Sequence, residues 1–163
     1  MNTDKIVREQ LLALLRGGNA HMSFDQAIAD FPMGDINRRP PHVPYTPWHL
    51  IEHMRITQWD ILEFIRNPKH VSPGWPEGYW PPREEEADAA RWVESVNAFR
   101  ADLRALQDLV ADRNTNLVAP IPHAPDYTIL REILVVSDHT AYHVGEFAIL
   151  RQIMGTWPTS HGV

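Results

Sequence analysis

The residues best suited to chemistry are His139 and His143, four positions apart in VSDHTAYHVGEF. In a helix that spacing turns the second side chain only ~40° from the first and leaves the two Cβ atoms about 6 Å apart. Both imidazoles can then reach one metal ion. Their stripe on a helical projection also carries Val136, Phe147, Leu150 and Met154, so the pair points toward a core. Burying imidazole nitrogens without partners costs free energy. A metal is the sharpest way to satisfy them; hydrogen-bonded core histidines are the plainer one.

Two imidazoles seldom complete a metal site, and catalytic zinc usually takes three protein ligands plus an open position. A second pair at the same spacing, His49 and His53, lies in TPWHLIEHMRITQWD. The apolar stripe of that segment runs through Leu50, Met54, Ile61, Phe64 and Ile65, and His53 flanks it beside Thr57 and Phe64. His49 is turned ~40° further, toward Glu52 and Glu63, which places it at solvent or a pocket rim. His53 is therefore the inward candidate for the third ligand. The chain has no cysteine, which excludes disulfides and thiolate zinc centres. It has no Glu-x-x-His either, which excludes the di-iron carboxylate sites of helical bundles.

Glu146 lies one turn beyond His143 on the same stripe and is the candidate catalytic residue. It could orient a ligand histidine, bind the metal itself or accept a proton. Glu132 projects onto the stripe two turns earlier, where an arginine partner is expected, while Asp138 points toward solvent. His21 and His42 read as polar loop residues, and His70, His123 and His161 as surface residues.

The elements that must position these side chains are helices. The first runs from about Thr3 to Arg16 and stops at Gly17-Gly18. A short helix follows Ser23, where Ser23 and Gln26 have the spacing of a capping box and Pro32 marks the exit. The second long helix starts at Thr46-Pro47 and ends near Asn67-Pro68. The third covers roughly Glu84 to Arg113, and the fourth runs from near Thr128 to Gly155. No period-two alternation is long enough to suggest a sheet. Four amphipathic helices in one domain spanning residues 1–163 point to an all-α four-helix bundle, and the long Gly17–Tyr45 connection points to a crossover. The aromatic run from Val71 to Pro81 reads as a packed loop covering one bundle end, with a substrate lid as the alternative.

At 163 residues the chain can bury a sizeable core without a staple. Its net charge of −6, with scattered Lys and Arg, argues against nucleic acid as a partner. No apolar run is long enough to span a membrane, and the start lacks the pattern of a signal peptide, so a cytoplasmic location is expected.

The segments PYTPWHLIEHMRITQWDILEF and YTILREILVVSDHTAYHVGEFAILRQIMG resemble the second- and fourth-helix motifs of the DinB/YfiT-like superfamily of four-helix-bundle metalloproteins. The similarity extends to NAHMSFDQAIADFP, WPEGYWP and the third helix. It implies metal ligands at His53, His139 and His143, with Glu146 standing where related sequences often carry glutamine. It also implies a homodimer and chemistry with a low-molecular-weight thiol, since relatives include transferases and an isomerase that use bacillithiol or mycothiol. The expected cofactor is a divalent transition metal, zinc or nickel first, iron and copper next, since imidazole suits them all. The leading expectation is a metal-dependent thiol S-transferase acting on a small-molecule electrophile. The alternatives are a hydrolase using metal-activated water with Glu146 as proton acceptor, and a non-catalytic metal-binding sensor or interaction bundle.

Overall fold

The computed structural model describes residues 3–158. Four long helices form its frame: α1 (Thr3–Arg16), α3 (Pro47–Arg66), α4 (Ala89–Ala111) and α5 (Ile129–Met154). The short α2 (Phe24–Ile28) begins at Ser23, whose hydroxyl accepts from the Gln26 amide while the Gln26 side chain accepts from the Ser23 amide, as the sequence predicts. The third long helix starts five residues later than the expected Glu84, because Asp88 caps it by accepting from the Arg91 amide. His161 lies outside the described residues. None of the described helices is long and apolar enough to cross a membrane.

The main partners of α1 and of α3 alike are α4 and α5. The Gly17–Tyr45 connection therefore joins two helices that are not main packing partners, which is why it is long. It covers one end of the bundle with Phe24, Phe31 and Ile36, buried in the same core as Trp48, Phe99 and Phe147. That cluster takes α3 residues up to Met54 and α5 residues from Val144 onward. A second cluster takes Ile61, Leu62 and Ile65 from α3 with Ile133 and Val136 from α5. The pairing shows that α3 and α5 run antiparallel. On α5 the His139/His143 pair lies between the two clusters, and on α3 His53 lies at the edge of the first, beside Met54, so the histidines sit near the junction of two apolar layers.

The aromatic run from Val71 to Pro81, expected to cover a bundle end, belongs instead to a connection, Asn67 to Asp88, that follows α3. It runs back along the flank of α3. His70 meets Asp60, the Tyr79 carbonyl meets His53, and the Glu85 carbonyl meets His49. This return lets α4 lie parallel to α3, with Trp48 bonded to Ser95 near both starts and Gln58 bonded to the Phe99 carbonyl further on.

One expectation fails outright. A small antiparallel hairpin, β1 (Pro120–Ile121) and β2 (Ala124–Thr128), joins α4 to α5. Strands of two and five residues are too short to leave a period-two signature, and Ile121 alone anchors β1 in the core.

Candidate metal centre

The site starts with a helix cap. Thr46 accepts from the His49 amide, and the His49 ring Nδ1 accepts from the Thr46 amide, so His49 closes a capping box at the start of α3. The remaining ring nitrogen, Nε2, then carries the proton and donates to the Glu85 carbonyl at 2.8 Å. His49 is buried, not at solvent or a pocket rim, because the returning 67–88 segment covers that face. Both nitrogens are spent on the backbone, which leaves His49 outside the metal cluster.

One turn on, His53 points between α3 and α5. Its Nδ1–H donates to the Tyr79 carbonyl at 2.9 Å, which leaves Nε2 as a bare lone pair. His143 is fixed the same way: its Nδ1 donates to Glu146 Oε2 at 2.6 Å. The Nε2 atoms of His53 and His143 face each other at 3.1 Å, and His139 Nε2 lies 3.1 Å from His53 Nε2. One ligand atom from each of the three histidines fits within a 4.8 Å group suited to a metal ion.

The donor set fits a divalent cation. With both Nδ1 protons committed, the facing His53 and His143 nitrogens have no proton to share and repel unless a cation lies between them. A metal–nitrogen bond of ~2.05 Å spaces tetrahedral ligands about 3.3 Å apart, and ligands at right angles about 2.9 Å apart. The observed 3.1 Å falls between the two. The orienting carbonyl and carboxylate are the partners that metal-binding imidazoles characteristically have.

The surroundings keep His53 and His139 neutral. Burial pulls the His53 pKa down to about 4, with the neighbouring His143 adding to it. Burial, then His143 and His53, pulls His139 down to about 3. These folded values lie below the unfolded value of about 6.5, so the unfolded chain binds more protons in acid. The stability this contributes is present above pH 6.5 and is lost as pH falls toward 4. Chelator-treated protein should therefore melt at a lower temperature at pH 5 than at pH 7, and His139→Ala should flatten that dependence. Melting curves at the two pH values check it.

Glu146 holds both sides of its carboxylate in bonds: Oε2 accepts from His143, and Oε1 accepts from the Tyr45 hydroxyl. Burial would raise its pKa, but the bonds from His143 and Tyr45 outweigh that and hold it below the usual carboxylate value. Burial and then Glu146 push the Tyr45 phenol upward, so it remains a donor. Of the roles open to Glu146, this geometry fits orientation of the His143 ring.

The Trp80 ring lies flat on His53, with centroids 3.9 Å apart and planes within 3°, and Tyr45 stacks on Trp80 in turn. Neither Tyr45 nor the Tyr79 carbonyl is legible from spacing within a helix. The nearest sequence signal was the aromatic WPEGYWP run itself. Glu132 is buried and pairs with its own neighbour Arg131 at 2.7 Å, while Asp138 is exposed as expected. His123 is exposed, whereas His70 is half-buried with its side chain packed against Asp60.

The chain matches the family model described as DinB superfamily over residues 16–147, a span containing the three histidines, Tyr45, Tyr79 and Glu146. No curated protein and no solved structure matches it.

Proposed function

We propose that this chain, which belongs to the DinB superfamily, is a metal-dependent enzyme that transfers a thiol sulfur onto a small electrophile. The observation that supports it most is the approach of two imidazole nitrogens whose other nitrogens are already committed as donors. His53, His139 and His143 would hold one divalent cation. Held by these imidazoles, such a cation would supply Lewis acidity that favours deprotonation of a water or thiol.

The protein's own residues supply orientation and proton handling. Tyr79 and Glu146 fix which nitrogen of His53 and His143 faces the centre. Trp80 and Tyr45 wall it against bulk water. The chain has no cysteine of its own, which is compatible with the thiol being a low-molecular-weight co-substrate. In the transfer the thiol loses its proton, sulfur bonds to the electrophilic carbon, and the leaving group departs with its bonding pair. Glu146, ionised and partly exposed, is the group we assign to take the proton, with Tyr45 returning a hydrogen bond to it.

The test is consumption of free thiol by zinc- or nickel-loaded protein with a panel of small thiols and electrophiles. Turnover should require metal and disappear in His143→Ala. Metal-dependent turnover without any thiol requirement would identify a hydrolase instead. A protein that binds metal but turns over nothing across the panel would be a binding module, and the enzyme reading would fall.

A further inference from the structure

Asp60 sits two turns beyond His53 on α3, far enough that it cannot be a ligand, yet it is buried and carries two strong hydrogen bonds. His70 Nε2 donates to one oxygen at 2.7 Å and the Tyr79 hydroxyl donates to the other at 2.7 Å. His70 and Tyr79 bracket the aromatic loop, so a single carboxylate ties down both its entry and its exit. Burial, followed by the bond to Asp60, raises the Tyr79 phenol to about 12, which keeps it a donor throughout the physiological range.

The loop between them is closed on itself. The Gly78 amide donates to the Gly74 carbonyl at 2.7 Å. A Cβ on Gly78 would meet the Pro73 side chain at 2.8 Å and its carbonyl carbon at 3.2 Å, so only glycine fits there. The main chain at Tyr79 is thus held from three sides: by its own phenol on Asp60, by the tight turn before it, and by Trp80 lying on His53. The carbonyl that results is the one that accepts from His53 Nδ1 at 2.9 Å.

We propose that Asp60 is a positioning residue for the metal centre: through His70 and Tyr79 it fixes the carbonyl that selects the His53 tautomer. This rests on the reading of His53 as a ligand. The physical content is one of registration. An imidazole free to carry its proton on Nε2 cannot offer that nitrogen to a metal until the proton moves. Asp60 keeps the proton on Nδ1 without touching the ring. Nothing in the helical pattern around His53 reveals it, because the connection passes through the backbone of a loop.

The test uses the full chain with uniformly ¹⁵N-labelled histidine, and the variants Asp60→Asn and Tyr79→Phe. Long-range ¹H–¹⁵N correlation spectra of metal-free protein should show wild-type His53 protonated at Nδ1, and a shift toward the other tautomer in both variants. Zinc affinity, measured by competition with a chelating dye, should fall about 10-fold or more, as it does when orienting partners of metal ligands are removed. A purely structural role would lower the melting temperature and leave the tautomer unchanged. Unchanged tautomer and affinity in both variants would overturn the proposal while leaving the metal site intact. If wild-type protein binds no zinc, the metal reading falls and the tautomer spectra still decide the role of Asp60. Should Asp60→Asn fail to fold, Tyr79→Phe keeps the His70–Asp60 bond and carries the test.

Discussion

Replacing His53 by alanine is expected to weaken zinc binding by roughly 100- to 1000-fold. A complete structural zinc site contributes about 10–16 kcal/mol of apparent binding energy over four ligands, so one imidazole is worth about 3–4 kcal/mol. The loss should be larger than for Glu146→Gln. There an amide oxygen can still accept the His143 Nδ1 proton, and only the carboxylate charge and part of the Tyr45 bond are lost. A drop of about 10-fold is expected for Glu146→Gln, within the range for orienting groups. Chelator competition at fixed pH measures both. The order matters more than either value. If Glu146→Gln weakened binding as much as His53→Ala, Glu146 would have to be a ligand.

The largest effect on stability is expected at Arg151. Its guanidinium is fully buried and has no carboxylate partner among the described residues. It donates instead to three main-chain carbonyls, those of Ala27 and Ala29 from one nitrogen and Thr156 from another. Trp157 covers the guanidinium at 4.0 Å from its ring centroid, and Phe31 lies 5.3 Å away. Burial lowers its pKa, the expected direction for a cation removed from water. One side chain therefore ties the loop after α2 and the chain after α5 to the same point. Arg151→Ala removes the donor from two buried carbonyls and one part-buried carbonyl and is expected to cost about 3–5 kcal/mol. In a domain of this size that is a fall of roughly 10 °C in Tm. Arg151→Lys should recover little, because an ammonium cannot fork to three separated carbonyls while stacking on an indole. Thermal and urea melts check both variants. A change under 1 kcal/mol in Arg151→Ala would mean these carbonyls find other partners.

What the sequence made legible was whatever a helix writes into its own periodicity. The pair at His139 and His143 and the inward direction of His53 follow from 3.6 residues per turn, and the three do meet. The caps at Ser23, Thr46 and Thr128 marked helix starts to within a residue. The failures share a cause. His49 was placed at solvent or a pocket rim because a helical projection cannot show that a non-helical segment lies over it, and the 67–88 return covers it, while His70, within that return, packs back on Asp60. Tyr45 and Tyr79 reach the site from loops, where no period relates them to the histidines they serve. Helical geometry brings the three histidines together, and loop paths bring the groups that orient them.

The central claim is that the chain holds one divalent cation on three imidazoles. Elemental analysis of untagged protein tests it most directly, on wild type beside His53→Ala, His139→Ala and His143→Ala, each purified without added chelator. About one transition-metal ion per wild-type chain is predicted, with little in any variant. Equal metal content in all four proteins would contradict the claim.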